Sequence, residues 1–262
     1  ENDYHKFFIV DGQHVGDYEG MYRSCLDPWR IEELGLRLDM RAALLLVDSL
    51  PNKPLRVLDA GAGAGFLSLE LIGLLAKTRP GSEVILSDIS ETALELANKR
   101  IEKALGLNSK SNGGLAEKKV KVSSRAFDLL AENEVKVNSR AFDLLAENKV
   151  KVSSQAFDLR EISQAYCPWA DGTFDLIFLA QTLWGLIENL EGLFPGLRLK
   201  LKSPGYLIMS QHFPGPKGQN YASFVDPSLV SKLAQEAGFK LLHTLETDRM
   251  ENHHWAASWT CD

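Results

Sequence analysis

Three glycines, Gly61, Gly63 and Gly65, follow directly on an apolar run, Leu55 to Leu58, that ends in Asp59. Glycine permits a tight turn and lets a ligand approach the backbone with no Cβ in the way. Beyond the glycines, Phe66, Leu67, Leu69, Leu71, Ile72, Leu74 and Leu75 recur at helical spacing. The pattern predicts strand, glycine turn and helix, the cofactor-cradling start of a doubly wound α/β domain. The spacing is G-x-G-x-G, with Phe66 where a dinucleotide fingerprint would place its third glycine. A second apolar run, Glu83 to Ser87, ends in Asp88, 27 residues after Gly61 and somewhat past the usual distance of about 20 for a ribose-binding acid. Its carboxylate suits that task because it can accept hydrogen bonds from both vicinal ribose hydroxyls. It equally ends a strand before Ser90, which is placed to cap the next helix. His212 stands just past a third apolar run, Tyr206 to Ser210. Ligands of open α/β sheets bind outside the carboxyl ends of the strands, so its imidazole is a candidate base for an attacking hydroxyl or amine. The alternative is a histidine fixed by its loop with no proton to move.

The elements that must position these groups can be read in order. Residues 1–50 form an aromatic arm followed by one amphipathic helix over Ile31 to Leu50, ended by Pro51 and Pro54. Tyr18, Tyr22 and Trp29 on the arm either pack on the surface or close a lid over the site and line the substrate's place. Helices are expected over Phe66 to Lys77, Ser90 to Leu107, Leu190 to Lys202 with an interruption at Pro195-Gly196, and Asp226 to Gly238. Thr173 to Ala180 reads as a strand buried on both faces, and Phe239 to Thr247 and His253 to Cys261 as a closing strand pair. On such a strand the adjacent His253 and His254 face opposite ways and make a poor metal pair, so no metal is expected. The 262 residues and net charge of −6 fit a globular domain and argue against nucleic acid as partner. Cys25, Cys167 and Cys261 lie far apart and read as reduced thiols, and no apolar stretch suits a bilayer or a signal peptide. The expectation is a soluble cytoplasmic protein without a membrane partner.

Within residues 120–164 the chain repeats itself. VKVSSRAFDLLAENE, VKVNSRAFDLLAENK and VKVSSQAFDLREIS begin at Val120, Val135 and Val150, a period of 15. Each unit reads as a short alternating strand and about two helical turns. Only the third leads directly into the next strand. The first two could extend the sheet edge, loop out as a helical hairpin, or make a contact between two copies of the chain in a homodimer. An insertion remote from the chemistry is favoured.

The motifs VLDAGAGAG, VILSDIS, AFDL and FDLIFLAQTLW, in that order, resemble the class I S-adenosylmethionine (SAM) methyltransferases over about residues 55 to 260, apart from the first two repeat copies. GDYEGMYRSCLDPW also resembles small-molecule and glycan methyltransferases, including relatives of the nodulation N-methyltransferases. The resemblance implies a doubly wound, mostly parallel seven-stranded sheet with an antiparallel C-terminal strand pair, a Rossmann-like SAM-binding domain over residues 51–262. It implies Asp59, Gly61, Ala62, Gly63 and Gly65 at the cofactor's amino-acid end and Asp88 with Ile89 at the ribose. Phe157, Asp158 and Leu159 fall at the adenine. Asp128 and Asp143 are the duplicates of Asp158 in the first two copies. Ala180 and Gln181 fall beside the methyl donor, where Gln181 hydrogen-bonds the donor or the acceptor. Trp184 packs against the acceptor or fills core. The implied activity is methyl transfer to an O or N nucleophile of a small molecule, such as a sugar derivative or specialised metabolite, with the loop at Phe213 to Tyr221 helping to enclose it. A nicotinamide-dependent oxidoreductase would share the first strand–turn–helix unit, but Phe66 and the terminal strand pair argue against it. A non-catalytic protein that keeps the cofactor fold is the other alternative.

Overall fold

The computed structural model describes residues 4–10, 13–104, 150–214, 225–249 and 252–262. The first two repeat copies, with Asp128 and Asp143, and most of the Phe213 to Tyr221 loop lie outside the described residues. Among the described residues seven strands make one sheet: β1 (Arg56–Ala60), β2 (Glu83–Asp88), β3 (Lys151–Ala156), β4 (Phe174–Ala180), β5 (Leu201–Pro214), β6 (Lys240–Arg249) and β7 (Asn252–Cys261). Their spatial order is β3-β2-β1-β4-β5-β7-β6. The first five run parallel, and β7 pairs antiparallel with both β5 and β6. The strand order reverses between β1 and β4, which opens a crevice at their carboxyl ends.

Alternation along the strands splits the core into two layers. Val57, Val84, Leu86, Leu176, Phe178 and Ile208 face helices α3 (Leu38–Asp48), α4 (Phe66–Thr78) and α5 (Glu91–Ala104). Leu58, Ile85, Ile177, Leu179, Leu207 and Met209 face α6 (Leu190–Lys200) and α7 (Pro227–Glu236) on the other side. With both faces covered, β1 and β4 tolerate almost no polar residue along their length. Polar groups stand at the strand ends, Arg56 and Asp175 at the amino ends and Asp59 at the carboxyl end.

The arm contributes a two-stranded hairpin and two short helices, α1 (Tyr18–Ser24) and α2 (Ile31–Leu34). The single helix expected over Ile31 to Leu50 is two, because Gly35 adopts φ 72 and ends the first. Met40, Ala43, Leu46 and Val47 of α3 are buried with the sheet core. The interruption expected at Pro195 does not occur: α6 runs through it, with Phe194 and Leu197 fully buried on either side. Loss of one backbone hydrogen bond there is outweighed by that burial. The third repeat copy forms β3, the outermost strand among the described residues, paired residue for residue with β2 from Glu83↔Lys151 to Asp88↔Ala156. Among the described residues no helix is long and apolar enough to cross a membrane.

Candidate active site

The glycine turn is stapled to the end of the neighbouring strand. Gly61 N and Ala62 N donate to Ser87 O at 2.7 and 2.9 Å, and Gly63 N donates to Asp88 Oδ2 at 2.8 Å. Gly61, Gly63 and Gly65 all have positive φ. A Cβ on Gly61 would stand 2.3 Å from Thr182 Oγ1, and one on Gly63 would stand 2.6 Å from the Tyr22 hydroxyl. Backbone freedom and lack of bulk are therefore both required at these two positions. Gly65 has a different task. It precedes α4, and a Cβ there would meet Ala97 of α5 at 2.7 Å, so it serves helix packing.

This turn is one wall of a cavity of about 230 Å³. Asp59, Gly61, Ala62, Gly63, Asp88, Ile89, Asp158, Leu159, Ala180 and Gln181 line it, as do Tyr18, Tyr22 and Trp29 of the arm. Asp59 is 3% exposed and its Oδ2 has no hydrogen-bond partner within the protein. Burial, and to a lesser degree the nearby Asp88, push its pKa up to about 7. Asp88 is also buried; its two oxygens accept from Gly63 N and Ser90 N, while desolvation raises its pKa. Asp158 caps a 3-10 turn and is clamped by Arg160, whose Nε and Nη2 approach its oxygens at 2.9 and 2.6 Å.

The arm closes the cavity from outside. Glu19 of α1 accepts from Ser90 Oγ at 2.6 Å and from Thr92 Oγ1 and N at 2.5 and 3.2 Å. Those hydrogen bonds hold its pKa down near 2. Trp29 Nε1 donates to the Tyr22 hydroxyl at 3.4 Å, and the Trp29 ring stacks on Phe8. Tyr22 is buried, and desolvation, aided by Asp88, raises its pKa.

Four expected site residues lie away from the cavity lining, Gly65 with its helix-packing role among them. Phe157 packs edge-on against Trp169, and Trp184 edge-on against Phe213 beside the core. His212, expected as a base, is directed by the alternation of β5 to the face covered by α3, and it too is absent from the cavity wall. Burial, and then Arg37, press its pKa down to about 4, leaving a neutral and weakly basic ring. Sequence reasoning missed other lining groups: Met40 on α3, Arg160, Thr182, and the short 3-10 segment Leu183–Asn189 that closes the floor through Leu186 and Glu188. Arg160 and Thr182 adjoin motif residues, which is a usable signal. Met40 carries none, since its apolar type fits the helix rhythm.

A methyltransferase domain model matches residues 51–157. None of the curated proteins matches the sequence. Among solved structures, a SAM-dependent methyltransferase from Aquifex aeolicus is 18% identical with TM-score 0.56, over 93% of this chain and 98% of its own. The N-methyltransferase NodS from Bradyrhizobium japonicum in complex with S-adenosylhomocysteine is 15% identical with TM-score 0.58, over 93% and 97%. Magnesium protoporphyrin IX methyltransferase from Synechocystis is 18% identical with TM-score 0.53, over 93% and 97%. Residues 51–157 thus match a methyltransferase domain, and the chain shares the fold of these solved methyltransferases.

Proposed function

We propose that this cytoplasmic protein transfers a methyl group from SAM to an oxygen or nitrogen of a small molecule held under the N-terminal arm. The observation that carries the reading is the enclosed cavity, with its glycine cradle on one side and Tyr18, Tyr22 and Trp29 on the other. Such a roof leaves room for a compact acceptor and excludes water. The magnesium protoporphyrin IX enzyme by its name methylates a small molecule, and NodS by its name methylates nitrogen, which supports the same class here.

The residues present fit the donor. SAM supplies a methyl group on an electrophilic sulfonium. The uncompensated Oδ2 of Asp59 is a buried acceptor suited to an ammonium group, and Gly61 and Gly63 leave space against the backbone beside it. Asp88, held by two backbone N–H groups, keeps lone pairs for a ribose diol. Ile89 and Leu159 offer apolar flanks for a purine, and Ala180 and Gln181 close the strand end. Catalysis rests on proximity and alignment of donor and acceptor. With His212 weakly basic and outside the cavity wall, the proposal favours an acceptor that arrives deprotonated or loses its proton to solvent after transfer.

The test is calorimetric titration of the protein with S-adenosylhomocysteine, repeated on Asp88→Ala. The expected result is micromolar binding in the parent and a loss of about tenfold or more in the variant, the scale of a charge-assisted hydrogen-bond pair. Absence of binding to folded parent would overturn the reading.

A further inference from the structure

Gln181 is one of only two residues other than glycine with positive φ among those described, at 60, and it sits at the carboxyl end of β4 in the cavity wall. A residue with a Cβ holds that conformation only where its surroundings impose it. Four contacts do so. Its N donates to Ser210 O at 2.8 Å, its Oε1 accepts from His212 N at 3.3 Å and from Gln211 Nε2 at 3.5 Å, and its Nε2 donates to Asp39 Oδ2. Three of these come from β5, inside the same sheet. Asp39, at the start of α3, is the one anchor from another layer, and its side chain is fully buried.

Asp39 is itself held. Its Oδ1 pairs with His254 Nδ1 of β7 at 2.7 Å, and Arg37 Nε approaches the same oxygen at 3.6 Å. A buried carboxylate is tolerated only with such partners. Next to Gln181, Thr182 Oγ1 donates to Ala60 O at 3.2 Å and fills the space beside Gly61. The backbone set at Gln181 therefore reaches the glycine cradle through one residue.

We infer that Asp39 is a positioning residue of the cofactor site, which, held by His254, locks the left-handed backbone of Gln181 and so braces Thr182 against Gly61. The inference rests on the proposed SAM site. It predicts that the value of Asp39 lies in the backbone of residue 181 and disappears when that residue needs no help to be left-handed.

The experiment is titration with S-adenosylhomocysteine of the parent, Asp39→Ala, Gln181→Gly, Gln181→Ala and the Asp39→Ala/Gln181→Gly pair, with thermal melts as fold controls. Glycine adopts positive φ unaided, whereas alanine keeps the Cβ and loses the anchors. Asp39→Ala is expected to weaken binding about tenfold in the parent and less than about twofold beside Gln181→Gly, a coupling of the size seen for contacting residues. Gln181→Ala is expected to bind more weakly than Gln181→Gly. Equal loss in both backgrounds, unchanged affinity of Asp39→Ala, or equal affinity of the two Gln181 variants would each overturn the inference. Should Asp39→Ala not fold, Asp39→Asn takes its place. It keeps the shape with one acceptor atom, and a loss of about threefold is expected in the parent only. A folded parent that binds nothing would overturn the cofactor reading and this inference together. A parent that binds but shows no coupling would overturn this inference alone.

Discussion

Asp59 and Asp88 are the same residue type at the ends of adjacent strands, yet their surroundings divide the work. Asp88 spends lone pairs on Gly63 N and Ser90 N, so it builds the turn as well as facing the cavity. Asp59 has an oxygen without a partner, and its pKa of about 7 means that a proton shares the site near neutrality. The sign of the pH effect follows. The folded pKa lies above the ordinary carboxylate value, so this group makes the unliganded protein less stable as pH rises from about 4 to 7. A ligand ammonium favours the ionised form and expels the proton, so affinity should rise with pH and level off above about 7. S-adenosylhomocysteine is expected to bind up to about tenfold more tightly at pH 8 than at pH 6, and Asp59→Asn to flatten that profile. A pH-independent affinity in the parent would show that Asp59 does not meet the ammonium.

At the scale of elements, the arm is fastened to the site it covers. Glu19 on α1 grips Ser90 and Thr92, two and four residues beyond Asp88, so the lid is latched at the first turn of α5. Arg100 adds a second attachment, reaching Glu32 of α2 at 3.2 Å and lying over the Phe66 ring. The depressed pKa of Glu19 makes the latch complete above its ordinary value of 4.5 and progressively lost as pH falls toward 2. Glu19→Gln is expected to speed dissociation of S-adenosylhomocysteine about threefold to tenfold at neutral pH, modest because the group is partly exposed. Stopped-flow displacement measures it, and an unchanged off-rate would mean that the arm does not gate the cofactor. The motif-bearing elements were legible because each has a local signature: glycines at a turn, an acid at a strand end, a capped helix at Asp226. The break at Gly35 was hidden by leucines that kept the helix rhythm on both sides of it. The latch itself had no local signature, since Glu19 reads as an ordinary first-turn acid.

At the scale of the molecule, seven strands of the described residues form the sheet, and the first two repeat copies lie outside those residues. The third copy supplies β3, and β3 pairs along its whole length with β2. Asp158, which follows β3 in that copy, lies in the cavity wall. Removal of Val120 to Lys149 is expected to leave S-adenosylhomocysteine affinity within about twofold and the melting temperature within a few degrees, because closure entropy changes only slowly with the length of a connection. Loss of binding in a folded deletion variant would show that the duplicated segment belongs to the site.

The resemblance implied the sheet that the strands build, and the sequence by itself determined the succession of strands and helices around the glycine turn and the acids at the ends of the first two strands. These follow from periodicity and turn chemistry acting over a few residues, and they hold whatever surrounds them. Only the tertiary structure decided which of those groups meet. His212 lies outside the cavity wall because its direction depends on the alternation of a strand whose length was underestimated: β5 runs over Leu201–Pro214 where Tyr206 to Ser210 was expected. Trp184, in the 3-10 segment after β4, packs on Phe213 instead of lining the cavity. Asp39 and His254, 215 residues apart, are joined at 2.7 Å because α3 packs across β5 and β7. No local pattern encodes such a pairing, since it arises from where two elements cross in a packed core.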